Sequence, residues 1–146
     1  MKKLVLPGNV TEKPLVYYLA VEEYVARHLE DDVLFLWQTG PTVISGRNQV
    51  IEAEADLEYC KAHGIDVFRR KSGGGTVYSD KGNIMVSCIV SCQEVPYVFE
   101  KYLQTAALYL RSAGIDASVS GRNDIIAGGR KVSGNAFYKA GRRGII

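Results

Sequence analysis

Apolar positions recur along this chain with two different periods, and the switches between them mark its elements. From Pro14 to Glu30 the residues Leu15, Tyr18, Leu19, Ala26 and Leu29 fall at helical spacing. Thr11 is a candidate cap for that helix, and Pro14 suits its first turn. Val33–Trp37 and Thr42–Ile44 are short continuous apolar runs, and the turn residues Thr39-Gly40-Pro41 between them predict a hairpin. Glu52 to His63 reads as a second helix, with Gly64 where a helix C-terminus favours it.

Ile65–Arg69 is expected as a strand running into three consecutive glycines, and Thr76–Tyr78 as the strand that leaves them. Ile84–Val90 has the pattern of the most buried strand in the chain. Pro96 opens a third helix to Ser112, with Phe99, Leu103, Ala106, Ala107 and Leu110 on one face and Gly114 beyond its end. Ile115–Val119 is a further strand, and Asp124–Ala127 with Arg130–Ala136 forms a hairpin about Gly128-Gly129. Strands and helices do not alternate regularly, which predicts an α+β fold with a mixed or antiparallel sheet. No repeat, linker or low-complexity tract interrupts it.

Composition narrows the class. With 146 residues, 47% apolar and 23% charged, the chain suits one soluble globular domain. No apolar run approaches the roughly 18 residues of a membrane span, and the stretch from Met1 to Pro7 is too short for a signal peptide. The three cysteines, Cys60, Cys88 and Cys92, have no metal-ligand spacing and read as reduced thiols of a cytosolic protein. Charge is uneven: residues 1–66 hold 11 acids against six bases, and residues 67–146 hold 12 bases against five acids. The second half therefore attracts an anion, for which small phosphates and nucleic acid both qualify. A solvated basic face accounts for the same asymmetry.

Two segments could carry chemistry. In Arg69-Arg70-Lys71-Ser72-Gly73-Gly74-Gly75-Thr76-Val77-Tyr78 the glycines allow the backbone to bend and present bare N–H groups to an anion. Three cations before them favour a phosphate. The spacing is neither that of a Walker loop nor of a dinucleotide fingerprint, and a tight surface turn explains the glycines equally well. In the second segment, Gly121 to Ala136, a two-residue turn at Gly128-Gly129 pairs Ala127 with Arg130, Ile126 with Lys131 and Asp124 with Ser133. Asp124 and Lys131 then become diagonal neighbours on one face. A lysine held by an acid stays protonated and can serve a phosphate or an oxyanion, although such a pair is more often a solvated surface contact. Val33–Trp37 is a core strand by default, or the wall of an apolar ligand site.

Taken together, these stretches resemble the lipoate–protein ligase A family, which shares a class II synthetase-like catalytic fold with biotin ligases and octanoyltransferases. The resemblance rests on LAVEEYV at Leu19–Val25, FLWQTGPTVISGRNQ at Phe35–Gln49, RRKSGGGTVYSDKGN at Arg69–Asn83 and SGRNDIIAGGRKVSGNAFYK at Ser120–Lys139. They stand in the family's order and spacing and span most of the chain.

The resemblance implies that lipoate and Mg-ATP form lipoyl-AMP, and that the lipoyl group then passes to a lysine. The acceptor lysine belongs to a lipoyl domain of a 2-oxoacid dehydrogenase complex or to the glycine-cleavage H protein. By position, Arg70, Gly73, Gly74, Gly75, Thr76, Val77, Tyr78 and Asn83 would bind the nucleotide. Asn123 and Asp124 would help to place the nucleotide or a metal, and Lys131 would contact the activated carboxyl and the α-phosphate. Arg70, Gly75 and Lys131 would also meet lipoate. A cytoplasmic enzyme is expected, with no residue assigned as a metal ligand and neither a nucleic-acid nor a membrane partner.

The chain departs from the family in two places. Ser79-Asp80 stands where the family commonly has histidine before the aspartate. The RKVSG strand of the family also leads into a His-Gly-Thr strand, whereas this sequence ends at Gly144-Ile145-Ile146. Residues 1–146 are therefore expected to be a partial catalytic domain, lacking its C-terminal part and any accessory domain, with an exposed sheet edge and a partly built adenylate pocket. The alternatives are a cysteine-dependent octanoyl or lipoyl transferase, against which Ser118–Ala136 contains no cysteine, and an inactive or regulatory anion-binding fragment.

Overall fold

A computed structural model of the chain describes residues 1–6 and 13–146. Its elements are β1 (Lys2–Lys3), α1 (Leu15–His28), β2 (Val33–Trp37), β3 (Thr42–Ser45), α2 (Ile51–Glu54), α3 (Leu57–Ala62), β4 (Asp66–Arg69) and β5 (Val77–Ser79). Then come β6 (Met85–Ser91), α4 (Val95–Ser112), β7 (Ala117–Ser120), β8 (Asp124–Ala127), β9 (Arg130–Gly134), β10 (Tyr138–Ala140) and β11 (Arg143–Ile145). They form three sheets: β1-β2-β6-β11-β10, β4-β3-β5 and β7-β8-β9. The first two mix parallel and antiparallel pairs and the third is antiparallel, so the α+β expectation with mixed or antiparallel sheets holds.

Helix α1 covers one face of the five-stranded sheet. Leu15, Tyr18, Val25 and Ala26 pack on Val33, Phe35, Trp37, Ile89 and Ile145, with Ile44 joining from the second sheet. Tyr18 stacks on Trp37 with centroids 4.4 Å apart. Leu29, expected on the helix's apolar face, lies beyond its end and is exposed. The Thr11 cap falls outside the described residues. A second core forms where Leu103 and Ala107 of α4 meet Ala117 and Ile125 of the third sheet.

Three local expectations fail for physical reasons. β2 and β3 do not form a hairpin: β2 pairs with β1 and β6, while β3 pairs with β4 and β5. The two runs have different burial. β2 buries Val33, Phe35 and Trp37 and exposes Leu36, whereas all four residues of β3 are buried, as suits a strand enclosed on both faces. β3 is thus more buried than β6, whose predicted first residue, Ile84, is exposed. The predicted helix 52–63 is two short ones. Asp56 adopts extended backbone and its Oδ1 accepts from the Tyr59 N–H at 2.9 Å, so a cap starts a new helix in the middle of the run.

Strand β11 and Ile146 pair with β6 as far as Cys88. Beyond it, among the described residues, Met85–Ser87 have β2 on one side and no strand on the other. Arg143 ties this corner together from a nearly buried position. Its guanidinium donates to the carbonyls of Glu30, Asp31 and Ile89 and to Ser91 Oγ.

One carboxyl lies inside the first core. Trp37 Nε1 donates to Ser87 Oγ at 2.8 Å, and the Ser87 hydroxyl donates to Glu22 Oε1 at 2.6 Å. Burial pushes the Glu22 carboxyl up to about 7, and the Ser87 hydrogen bond offsets only part of that. The unfolded chain releases this proton near pH 4.5 and the folded chain holds it to about 7, so folding stability falls as pH rises through that window. A difference of this size corresponds to a loss on the order of 3 kcal/mol above neutrality. Denaturant titrations from pH 5 to 8 should show Glu22→Gln to be flatter with pH and more stable than the parent at pH 8. An unchanged slope would exclude Glu22 as its source.

Candidate active site

β3 lies between β4 and β5, so the chain that connects its two neighbours must cross the end of β3. The crossing is the glycine loop. Arg70 N–H donates to Ser45 O and Arg47 N–H donates to Ser72 O, both at 2.9 Å, which lays residues 70–76 over the turn that follows β3. Contact is so close that a Cβ on Gly46 would stand 1.9 Å from Gly74 O. Gly74 itself has φ +96, a conformation that costs glycine least.

Side chains hold every glycine carbonyl of the loop. Arg70 Nη2 donates to Gly73 O at 2.8 Å and Gly75 O at 2.9 Å, and Gln49 Nε2 to Gly74 O at 3.3 Å. Arg70 also donates from Nη1 to Ile44 O at 3.0 Å and from Nε to Ser72 Oγ at 3.1 Å. With the carbonyls tied down, the exposed N–H groups of Gly73, Gly74 and Gly75 have no acceptor among the described residues. The next one, Thr76 N–H, donates to Glu54 Oε2 at 3.0 Å, so a carboxylate oxygen already occupies this row of amides. A row of unpaired N–H groups has the chemistry to receive an anion.

The three cations before the glycines are not free to meet a ligand directly. Arg70 is committed as described. Arg69 Nη1 donates to Gly46 O, Arg47 O and Gln49 O at 2.9, 3.1 and 2.7 Å, and so fixes the turn beneath the loop. Lys71 Nζ pairs with Glu23 Oε2 at 2.7 Å, and Arg27 Nε donates to Glu23 Oε1 at the same distance. Lys71, then Arg27, hold the Glu23 carboxyl below its ordinary value. Beside these residues opens a cleft of about 1150 Å³ between the glycine loop, α1 and the β10–β11 hairpin.

Lys131 stands on the third sheet. Gly128 and Gly129 both have positive φ, as a tight hairpin turn requires, and Ala127–Arg130 and Ile126–Lys131 pair as the sequence predicts. The third predicted pair does not form: Ile125 faces Ser133 and Asp124 faces Gly134, so the register shifts by one at Val132. The bulge and the glycine accommodate Lys131, whose Cε would be 2.9 Å from a Cβ at position 134. Lys131 Nζ reaches Asp124 Oδ1 at 2.8 Å while its side chain stays 56% exposed, so the ammonium is oriented and still accessible.

The remaining predicted residues are placed by the loops and strands around these two segments. Asn123 Nδ2 donates to Asn135 O at 2.8 Å and Asn135 Nδ2 returns to Asn123 O at 2.9 Å, a reciprocal clasp that joins the ends of the hairpin. Asn83 closes a turn with Asp80, its Oδ1 accepting from the Asp80 N–H at 3.1 Å. Val77 and Tyr78 are exposed on β5. Lys131 and Asp124 are not among the residues that line the cleft beside the glycine loop. Asn135, Gln49 and Glu54 were not predicted. Asn135 and Gln49 lie within the motif segments, and Glu54 is legible only once α2 is seen to lie beside the loop.

All three cysteines are buried and unpaired, and burial, with Asp32 nearby, pushes the Cys88 thiol up to about 11. That environment opposes a thiolate nucleophile. Among the described residues no helix is long and apolar enough to cross a membrane, and no three acids, histidines or cysteines cluster as metal ligands.

Comparison with known proteins adds a family. The model of the lipoyl protein ligase A/B catalytic domain matches residues 14–146. The chain is 39% identical over 144 residues to lipoate–protein ligase 1 of Staphylococcus aureus, covering 97% of this chain and 43% of that protein. A crystal structure of lipoate-protein ligase A bound with ATP superposes with a TM-score of 0.87 at 29% identity, covering 99% of this chain and 63% of that one. A bi-partite lipoate protein ligase of Thermoplasma acidophilum, described with its E2 lipoyl domain, superposes at 0.81 with 27% identity, covering 93% and 57%.

The close passage of the two turns makes a stability prediction. Gly46→Ala forces its Cβ against Gly74 O and should cost about 2 kcal/mol or more in urea denaturation, whereas Gly73→Ala, with nothing within 4 Å, should cost less than about 1. Equal costs would contradict the packing.

Proposed function

The chain belongs to the lipoyl protein ligase A/B catalytic-domain family, and from that premise we propose that it takes part in ATP-dependent lipoylation. In this reading lipoate and ATP give lipoyl-AMP and pyrophosphate, and the lipoyl group then passes to a lysine of a lipoyl-domain protein. The observation that carries it is the glycine loop. Its carbonyls are held by Arg70 and Gln49 and its amides are free, a prepared seat for phosphate oxygens. The kinship with a ligase bound to ATP supports the same assignment.

The chemistry sets what the residues must do. In the first step a lipoate carboxylate oxygen bonds to the α-phosphorus as the bond to pyrophosphate breaks. Two anions must approach, so fixed positive charge and oriented N–H groups lower the barrier. We assign the phosphate contacts to the free amides of Gly73, Gly74 and Gly75, with Thr76, Val77 and Tyr78 continuing the wall of the nucleotide site and Asn83 holding the turn that follows. Lys131 is assigned to the α-phosphate and the carboxyl oxygen, with Asp124 orienting it and Asn123 fixing the hairpin. In the second step the acceptor lysine attacks the acyl carbonyl and AMP leaves; Lys131 stabilises the oxyanion without accepting a proton. Arg70 serves both ligands by shaping the loop, and Gly75 brings backbone close to lipoate. Mg2+ would enter with ATP as part of the substrate, since Mg2+ often relies on phosphates and one or two carboxylates.

We further infer that residues 1–146 are part of a larger catalytic domain. The chain spans 43% of the S. aureus relative, and Met85–Ser87 of β6 have, among the described residues, no strand on the side away from β2, where further residues could add one. The lipoyl domain named with the Thermoplasma ligase supports lipoyl domains of 2-oxoacid dehydrogenase complexes, and by the same chemistry the H protein, as acceptors in the cytoplasm.

Lipoate-dependent exchange of pyrophosphate into ATP tests the first step alone. In a protein that includes these residues, Lys131→Ala should keep its melting temperature and lose exchange by about two orders of magnitude or more. Near-normal exchange in that variant would remove Lys131 from the reaction.

A further inference from the structure

The cations that the motif makes conspicuous are not the ones available to a ligand. Eight cationic side chains line the cleft beside the glycine loop, against the single acid Glu23. Arg27 and Lys71 are paired to that acid, and Arg69, Arg70 and Arg143 are bound to backbone carbonyls. Arg47, Lys139 and Arg142 remain. All three are exposed, and their side chains have no partner among the described residues.

Their placement is built. Arg47 projects from the turn whose Gly46, Arg47 and Gln49 carbonyls all accept from Arg69 Nη1, so its backbone is pinned. Lys139 and Arg142 flank Gly141, the positive-φ turn of the β10–β11 hairpin, and the buried Arg143 anchors that hairpin to the sheet. The trio therefore spans two walls of one cleft, carried on backbone that is held from behind.

We propose that Arg47, Lys139 and Arg142 form a clamp for the pyrophosphate portion of ATP and hold pyrophosphate as it leaves. The inference rests on the ATP reading above and deepens it. Pyrophosphate is compact and carries several negative charges, so it gains from three unpaired cations on the walls of one cleft with a net positive lining. When the bond from the α-phosphorus to the bridging oxygen breaks, its electron pair stays on pyrophosphate, and cations at that end stabilise the developing charge. The free glycine amides would then serve the phosphate that remains on AMP. Docking of an acidic protein surface would use the same charges without needing a cleft.

The test compares the chain with an Arg47→Gln, Lys139→Gln, Arg142→Gln triple variant, using calorimetric titration of inorganic pyrophosphate, ATP and AMP at one ionic strength. Because the three side chains are exposed and unpaired, the variant should melt with the parent. Pyrophosphate and ATP should bind at least about tenfold more weakly, the loss expected from even one charge-assisted contact, while AMP changes less than about twofold. Unchanged pyrophosphate binding, no pyrophosphate binding by the parent, or AMP weakened as much as pyrophosphate would overturn the clamp. A parent that binds pyrophosphate through these residues but neither nucleotide would sustain the clamp and sink the ATP reading. A variant that binds pyrophosphate normally but loses affinity for an acidic lipoyl domain would reassign the trio to protein docking.

Discussion

Arg70 draws the carbonyls of Ile44, Gly73 and Gly75 and the hydroxyl of Ser72 around one guanidinium, and the geometry of the candidate site depends on that convergence. Three consecutive glycines have more conformational freedom to lose than any other tripeptide. A planar group with donors in a rigid fork can fix several carbonyls at once, which a lysine cannot. Partial burial lowers the Arg70 pKa from its ordinary value, yet arginine remains a cation at any physiological pH. The backbone is thereby turned with its acceptors inward and its donors outward. Gly46 permits this by its lack of a side chain, and Arg69 supports the turn beneath from the same strand end.

A division of labour follows from this constraint. Charge near the glycines shapes backbone, and in the proposed function that backbone offers the phosphate contacts. The cation proposed to act on the substrate stands on another sheet, where Asp124 orients Lys131 from one side and Gly134 clears room for it. Both halves of the proposed site thus use the same device, a glycine that allows a long cationic side chain to lie against backbone.

Much of this was legible in the sequence, and the failures share a cause. Helices α1 and α4 and the turn at Gly128-Gly129 follow from local periodicity and turn chemistry, and they were read nearly to the residue. The pairing of β2 and β3 was misread because a turn between two strands does not say which sheet each joins. That choice is made by distant partners, Val33–Trp37 by β6 and Thr42–Ser45 by β4 and β5. Asp56 broke a helix that spacing alone would continue, because its side chain offered the backbone a cap. Glu22 could have been found: Tyr18, Glu22, Val25 and Ala26 share one helical stripe, so an acid there is buried while Glu23 beside it is not. The direction in which Arg70 points had no signal. A cation before a glycine loop can face a ligand or the loop's own carbonyls, and only the crossing over β3 decides.

Arg70 and Gln49 hold the loop's carbonyls, and the amides this leaves free are the groups proposed to meet the nucleotide. Backbone amide NMR of the chain titrated with Mg-ATP reads this directly. The Gly73, Gly74 and Gly75 amides should move most on binding, and Arg70→Lys, which keeps the charge but not the fork, should abolish those shifts while leaving the signals of α1 and α4 in place. Nucleotide-induced shifts that bypass the three glycines, or that persist unchanged in Arg70→Lys, would contradict it.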